Sequence, residues 1–139
     1  MNPIESLLPH RKPFLFVDSL EKATEEEIIG HKIFHSEEFF FPGHFPGYPI
    51  VPGVVLVEAM AQCGGAGVKE MGILGNSLFF LATVDKAKFR KQVLPGDAVK
   101  FVIKNLRLSG RMIKQSGKVY VGENVAAEAE WMCLVGDPL

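Results

Sequence analysis

Cysteine is scarce in this chain of 139 residues: there are two, Cys63 and Cys133, seventy positions apart and neither in a CxxC pair. That argues against a disulfide framework or a zinc site and leaves reduced thiols in a cytoplasmic protein as the plain reading. Net charge is nearly absent too, at -1, whereas nucleic-acid-binding domains usually carry a basic excess, so that class is set aside. The opening residues, Met1-Asn2-Pro3-Ile4-Glu5-Ser6, lack the basic-then-apolar layout of a signal peptide. No internal repeat, low-complexity tract or linker interrupts the chain, and its length suits a single domain over residues 1–139. There is no GxSxG elbow and no GxxxxGK phosphate loop, which removes two common catalytic and nucleotide-binding signatures.

What is present is apolar: 47% of the residues are hydrophobic, and 11 are phenylalanine. Mean hydropathy is slightly positive, at +0.17, which in so short a chain suggests apolar surface buried between subunits. Ile50 to Val68 meets the minimum length for a bilayer span. It also contains Pro52, Glu58, Gln62 and the glycines 53, 64, 65 and 67, and a charge in mid-span is expensive in lipid. The stretch reads as a helix buried inside protein, with no membrane insertion.

Along the chain, Pro13-Phe14-Leu15-Phe16-Val17-Asp18 reads as a first strand and Ile28 to Phe34 as a second, parted by a solvated turn at Glu25-Glu26-Glu27. Ser36 is placed to cap one turn of helix through Phe40. From Phe41 to Gly53 four prolines and three glycines exclude regular structure and favour a stiff, sharply turned loop. Pro52 suits the first turn of a helix, which should run to about Met71. Strands are expected over Ser77–Val84, Phe89–Leu94, Ala98–Leu108, Ile113–Val121 and Val125–Val135, with turns at Pro95-Gly96-Asp97, Ser109-Gly110 and Gly122-Glu123-Asn124. The fold class is α+β: an antiparallel sheet against one long helix that is apolar nearly all round and must be covered by a curved sheet or a second subunit.

Three residues carry candidate chemistry. Glu58 is the only charge between Pro52 and Val68, with Gln62 one turn later on the same face. A carboxylate so placed is paired, hydrogen-bonded or used, and the helix alone does not choose among these. His44 sits in the proline-stiffened loop, which is able to hold an imidazole near Glu58 within one chain. His10, His31 and His35 lack such a setting and read as structural or solvent-exposed. Gly53, at the helix start, offers a free N–H at the positive end of the helix dipole, or simply permits a tight turn. Together a His, a carboxylate and an oxyanion donor suit proton abstraction beside a carbonyl. Cys63, one turn from Glu58, reads as a packing residue.

The runs Leu8-Pro9-His10-Arg11-Lys12-Pro13-Phe14-Leu15-Phe16-Val17-Asp18, Gly43-His44-Phe45-Pro46-Gly47-Tyr48-Pro49-Ile50-Val51-Pro52-Gly53-Val54 with Glu58-Ala59-Met60-Ala61-Gln62, and Asp85-Lys86-Ala87-Lys88-Phe89-Arg90-Lys91 with Val93-Leu94-Pro95-Gly96-Asp97 stand in one order. In them the chain resembles the FabZ-type 3-hydroxyacyl-acyl-carrier-protein dehydratases over almost its whole length. The resemblance implies a hot-dog fold, a homodimer or trimer of dimers, and a site whose histidine (His44) and glutamate (Glu58) come from opposite subunits. It further implies that the Gly53 amide polarises the thioester carbonyl and that Gln62 supports the carboxylate. FabA-type enzymes have Asp where this chain has Glu58. The implied reaction converts a (3R)-3-hydroxyacyl thioester to the trans-2-enoyl product in fatty acid biosynthesis, without metal or redox cofactor. The substrate then arrives on the phosphopantetheine arm of acyl carrier protein.

Lys86, Lys88, Arg90 and Lys91 form the densest basic cluster, either a docking surface for that acidic partner or a solvated strand edge. Lys91-Gln92 departs from the basic-proline pair common in the family, and Phe41-Pro42 precedes Gly43 where a polar residue is frequent. The competing readings are a hydratase or thioesterase acting on coenzyme A esters and a non-catalytic acyl-binding subunit. A thioesterase would leave His44 without a task.

Overall fold

The computed structural model describes residues 1–137. A short helix α1 (Ile4–Leu7) precedes β1 (Ser19–Ala23), β2 (Glu27–Ile33), the long helix α2 (Gly53–Glu70), β3 (Leu78–Phe89), β4 (Ala98–Leu108), β5 (Met112–Val121) and β6 (Asn124–Gly136). The strands form one antiparallel sheet in the order β1-β2-β4-β5-β6-β3. The sheet curls around α2, which touches every strand. That is the hot-dog arrangement.

The helix explains the curl. From Val55 to Val68 every residue of α2 except Glu58 is buried, so it has no face to offer water and each side needs a wall. The strands supply it by alternation: Val99, Phe101 and Ile103 of β4 and Ala127, Ala129, Trp131 and Cys133 of β6 point inward. Glu128 and Glu130 point the other way, as the sequence pattern requires. Among the described residues no helix is long and apolar enough to cross a membrane.

One ladder row carries a polar pin between sheet and helix. Asn105, Gln115 and Trp131 lie opposite one another on β4, β5 and β6. The fully buried Gln115 accepts the Trp131 Nε1–H (3.2 Å) and donates to Asn105 Oδ1 (2.8 Å) and to the Gly64 carbonyl of α2 (3.2 Å). Every polar atom of that amide is thus used, which a buried amide needs. Gly64 must be glycine for this: a Cβ there would run into the Gln115 carboxamide.

Three sequence expectations need correction. Residues Pro13–Asp18 are not a strand, and β1 begins at Ser19. The backbone of this segment bonds to a side chain of α2: Gln62 accepts the Phe16 N–H (2.8 Å) and donates to the Phe14 carbonyl (3.0 Å). Ser36 to Phe40 forms successive turns, not a helical turn, with Glu38 N–H on His35 O and Phe41 N–H on Glu38 O. The expected strands Ser77–Val84 and Phe89–Leu94 are instead one strand, β3, which absorbs the polar run Asp85–Lys88 as a bulge with Lys86 at φ 53°. Residues 90–94 then leave the sheet.

Gly64→Ala should lower unfolding stability by about 1–3 kcal/mol through overpacking against Gln115. Gly110→Ala, with open space around its Cβ position, should change it by less than about 0.5 kcal/mol. Urea unfolding followed by Trp131 fluorescence measures both. Equal effects would remove the pin from this account.

Candidate active site

The loop before α2 is tied to itself. His44 N–H bonds Phe41 O (3.3 Å), the Ile50 N–H returns to His44 O (2.8 Å), and Phe45 and Tyr48 exchange two backbone bonds of 2.8 Å. The His44 ring stacks on Phe45 with centroids 4.1 Å apart. Its Nδ1 lies 3.1 Å from the Ile50 carbonyl. A carbonyl only accepts, so in the neutral ring Nδ1 carries the proton and Nε2 keeps the lone pair.

His44 shares an open cavity of about 450 Å³ with Gly53, Val54, Phe89, Arg90, Lys91 and Gln92, among others. Gly53 is the first residue of α2, where an N–H has no intrahelical acceptor. A Cβ on Gly53 would come within 2.8 Å of the Phe89 ring, so glycine keeps this approach open. His44 and the first residue of α2 therefore line one space.

Glu58 lines another, of about 300 Å³, with His10, Phe14, Gln62, Phe79, Phe80 and Cys133 among its walls. Gln62 Nε2 donates to Glu58 Oε2 at 2.8 Å, and the two backbone bonds to Phe14 and Phe16 fix the amide that does so. Gln62, the residue expected to support the carboxylate, is thus hydrogen-bonded to it. By contrast, the loop does not bring His44 beside Glu58 within one chain: each lines its own cavity.

The basic cluster divides as well. Arg90 and Lys91 border the His44 cavity, while Lys86 and Lys88 lie over the outer sheet face with Lys104 and Lys118. Lys86 approaches Glu130 (3.7 Å), and Arg90 Nη2 donates to Glu128 (2.6 Å), a hydrogen bond that holds the Glu128 carboxyl below the usual range. His31 is half-buried and bonded to Glu21 at 2.7 Å. Among the described residues no three His, Cys, Asp or Glu side chains are grouped to hold a metal. Burial pushes the Cys63 thiol far up, which suits packing and not nucleophilic attack.

Sequence reasoning missed His10. Its Nε2 stands 3.8 Å from Glu58 Oε2, and its Nδ1 is buried without a hydrogen-bond partner among the described residues. Burial above all lowers its pKa, Lys69 adds to this, and Glu58 opposes it. The available signal is its place in the Leu8–Asp18 run.

Comparison with known proteins covers the whole of this arrangement. Residues 8–130 match the FabA-like domain. The 3-hydroxyacyl-[acyl-carrier-protein] dehydratase FabZ of Desulforamulus reducens is 45% identical over 137 residues, covering 98% of this chain and 96% of that protein. The FabZ of Moorella thermoacetica is 39% identical, covering 99% of this chain and 97% of its own. Among solved structures, the dehydratase heterocomplex ApeI:P from Xenorhabdus doucetiae superposes with a TM-score of 0.83 at 16% identity, over 100% of this chain and 93% of that one. A mutant thioesterase from Pseudomonas aeruginosa superposes at 0.69 and 14% identity, over 98% and 95%, a likeness of fold alone. With sequence kinship of this extent to the curated FabZ proteins, the chain belongs to the FabA-like domain family and is of the FabZ dehydratase type.

Proposed function

We infer that this chain is a hydro-lyase that converts (3R)-3-hydroxyacyl groups on acyl carrier protein to trans-2-enoyl groups in fatty acid biosynthesis. One observation carries the mechanism: His44, whose Nδ1 is engaged by the Ile50 carbonyl, and Gly53, at the start of α2, line one cavity. In this reading the imidazole is the base and the helix-start amide the oxyanion donor for one thioester. Neutral His44 removes the proton at C2, and the Gly53 N–H steadies the oxygen as charge builds on it. The electron pair of the broken C2–H bond forms the C2=C3 double bond as the C3–O bond breaks. The leaving hydroxide departs as water with a proton that Glu58 delivers or relays, or that His44 returns while Glu58 orients the hydroxyl. The elimination is redox-neutral, so neither metal nor redox cofactor is required, and the acyl group enters on the phosphopantetheine arm of its carrier.

Because His44 and Glu58 line separate cavities in one chain, the working site in this reading joins two chains. Support comes from β3, an edge strand bearing exposed Phe80, Leu81, Val84 and Phe89, while Val54 at the start of α2 is 76% exposed. An apolar edge strand left bare invites pairing with another chain, and a homodimer covers it. Trimers of such dimers belong to the same reading. A cytoplasmic setting is supported by the two free, buried thiols. The coenzyme A thioesterase alternative gives the His44 lone pair no task.

His44→Ala and Glu58→Gln should each reduce turnover by about 10²–10⁴-fold while leaving the fold intact. Enoyl-thioester absorbance measures the loss, and near-normal activity in either folded variant removes its assigned role. Co-refolding equal amounts of the two variants should restore about a quarter of wild-type activity. Half the dimers are then mixed, and one of their two sites is complete. With subunit exchange verified by mass spectrometry, no recovery would rule out the shared site.

Docking at the basic cluster predicts a KM for carrier-bound substrate that rises with salt and with Arg90→Glu/Lys91→Glu, and little change for a short pantetheine analogue. Equal effects on both substrates would place the carrier elsewhere.

A further inference from the structure

His10 is held more firmly than a surface histidine needs to be. It lies between α1 and β1, where the Arg11 guanidinium clasps the surrounding backbone. Nη1 donates to the carbonyls of Leu8 (2.8 Å) and His10 (2.7 Å), and Nη2 to that of Glu5 (3.0 Å). The ring reaches into the Glu58 cavity, with Nε2 3.8 Å from Oε2 and Nδ1 buried on its other side.

These positions decide where the proton sits. A proton on Nδ1 would bury a donor with no acceptor and turn the bare Nε2 lone pair towards a carboxylate. A doubly protonated ring would bury that same unmet donor with a charge. The neutral Nε2–H tautomer avoids both and points its one donor at Glu58. Burial, which lowers the pKa of this imidazole, acts in the same direction, as does Lys69; the pull of Glu58 acts against them. Cys133, the other titratable side chain lining the cavity, has its thiol pushed up to about 12 and brings no charge.

Gln62 donates to the same oxygen, Oε2, at 2.8 Å. Among the described side-chain hydrogen bonds Oε1 receives none. We propose that His10 is a positioning residue for Glu58: together with Gln62 it pins Oε2 and leaves Oε1 as the oxygen that meets the substrate hydroxyl. The gap of 3.8 Å closes to a hydrogen bond once substrate fills the cavity, since such contacts are commonly long in an empty site. The assignment rests on the dehydratase reading, which alone gives Oε1 a substrate.

Two measurements test it, one of them independent of activity. In wild-type protein at pH 7, long-range ¹H–¹⁵N spectra should show His10 neutral with its proton on Nε2. Glu58→Gln should then shift the Nε2 resonance while melting temperature holds. A charged ring, a proton on Nδ1, or a resonance indifferent to Glu58→Gln overturns the proposal even if dehydration is confirmed. In kinetics, His10→Ala should lower kcat by about tenfold to a hundredfold with little change in KM, the scale of a misplaced catalytic group. His10→Gln, whose amide N–H takes the place of Nε2–H, should recover most of the loss. If both variants lose kcat and melting temperature in parallel, His10 is a packing residue and the proposal fails. Wild-type protein inactive on every 3-hydroxyacyl thioester would instead sink the dehydratase reading, with the spectra still deciding the contact.

Discussion

The structure depends on a helix that cannot face water. Because α2 is buried from Val55 to Val68 apart from Glu58, its burial requires a sheet curved enough to reach around it, and β4, β5 and β6 present their buried alternation inward. Burial of this kind stabilises the fold without direction, at roughly 25 cal/mol per Å² of apolar surface, and does not by itself choose a register. Register comes from the few polar groups admitted to the interior. Gln115 joins three strands to the Gly64 carbonyl, and only a glycine on the helix makes room for it. A one-residue slip of β5 would carry that amide to the outer face and leave the Trp131 N–H unmet.

Gln62 does on the other side of the helix what Gln115 does on the sheet side. It is buried, its oxygen accepts from Phe16, and its nitrogen serves both Phe14 and Glu58. The chain leading into β1 is thereby attached to the helix through the residue that orients the carboxylate. Stability and chemistry share these atoms, so the N-terminal segment is part of the Glu58 cavity and not an appendage to it. The same coupling explains why residues 13–18, apolar enough for a strand, do not join the sheet.

Much of this was legible from residue order. The proline and glycine density of 41–53 announced a rigid loop, Pro52 marked the helix start, and the isolation of Glu58 in an apolar run singled it out. Strand β4 has the bounds that its pattern suggested, Ala98 to Leu108. Alternation over β6 assigned its two faces correctly because a strand period of two is a local property. The polar run Asp85–Lys88 misled, since a bulge tolerates residues that would otherwise end a strand, and only pairing with β6 keeps β3 continuous.

The sequence by itself determined the chemical groups and their local stage: an imidazole in a stiff loop, an amide at a helix start, and a carboxylate with an amide one turn later. These follow from steric limits and periodicities within a few residues. Tertiary structure decided which groups share a space. His44 joined Gly53, Glu58 joined His10 and Gln62, and each set received its own cavity. It also set the surroundings of both imidazoles, with the Ile50 carbonyl at His44 Nδ1 and burial around His10 Nδ1. The His44 bond to Ile50 spans only six positions, but the Glu58 cavity joins His10 and Phe14 to a helix more than forty positions away, and that contact exists only once the chain has closed around the helix.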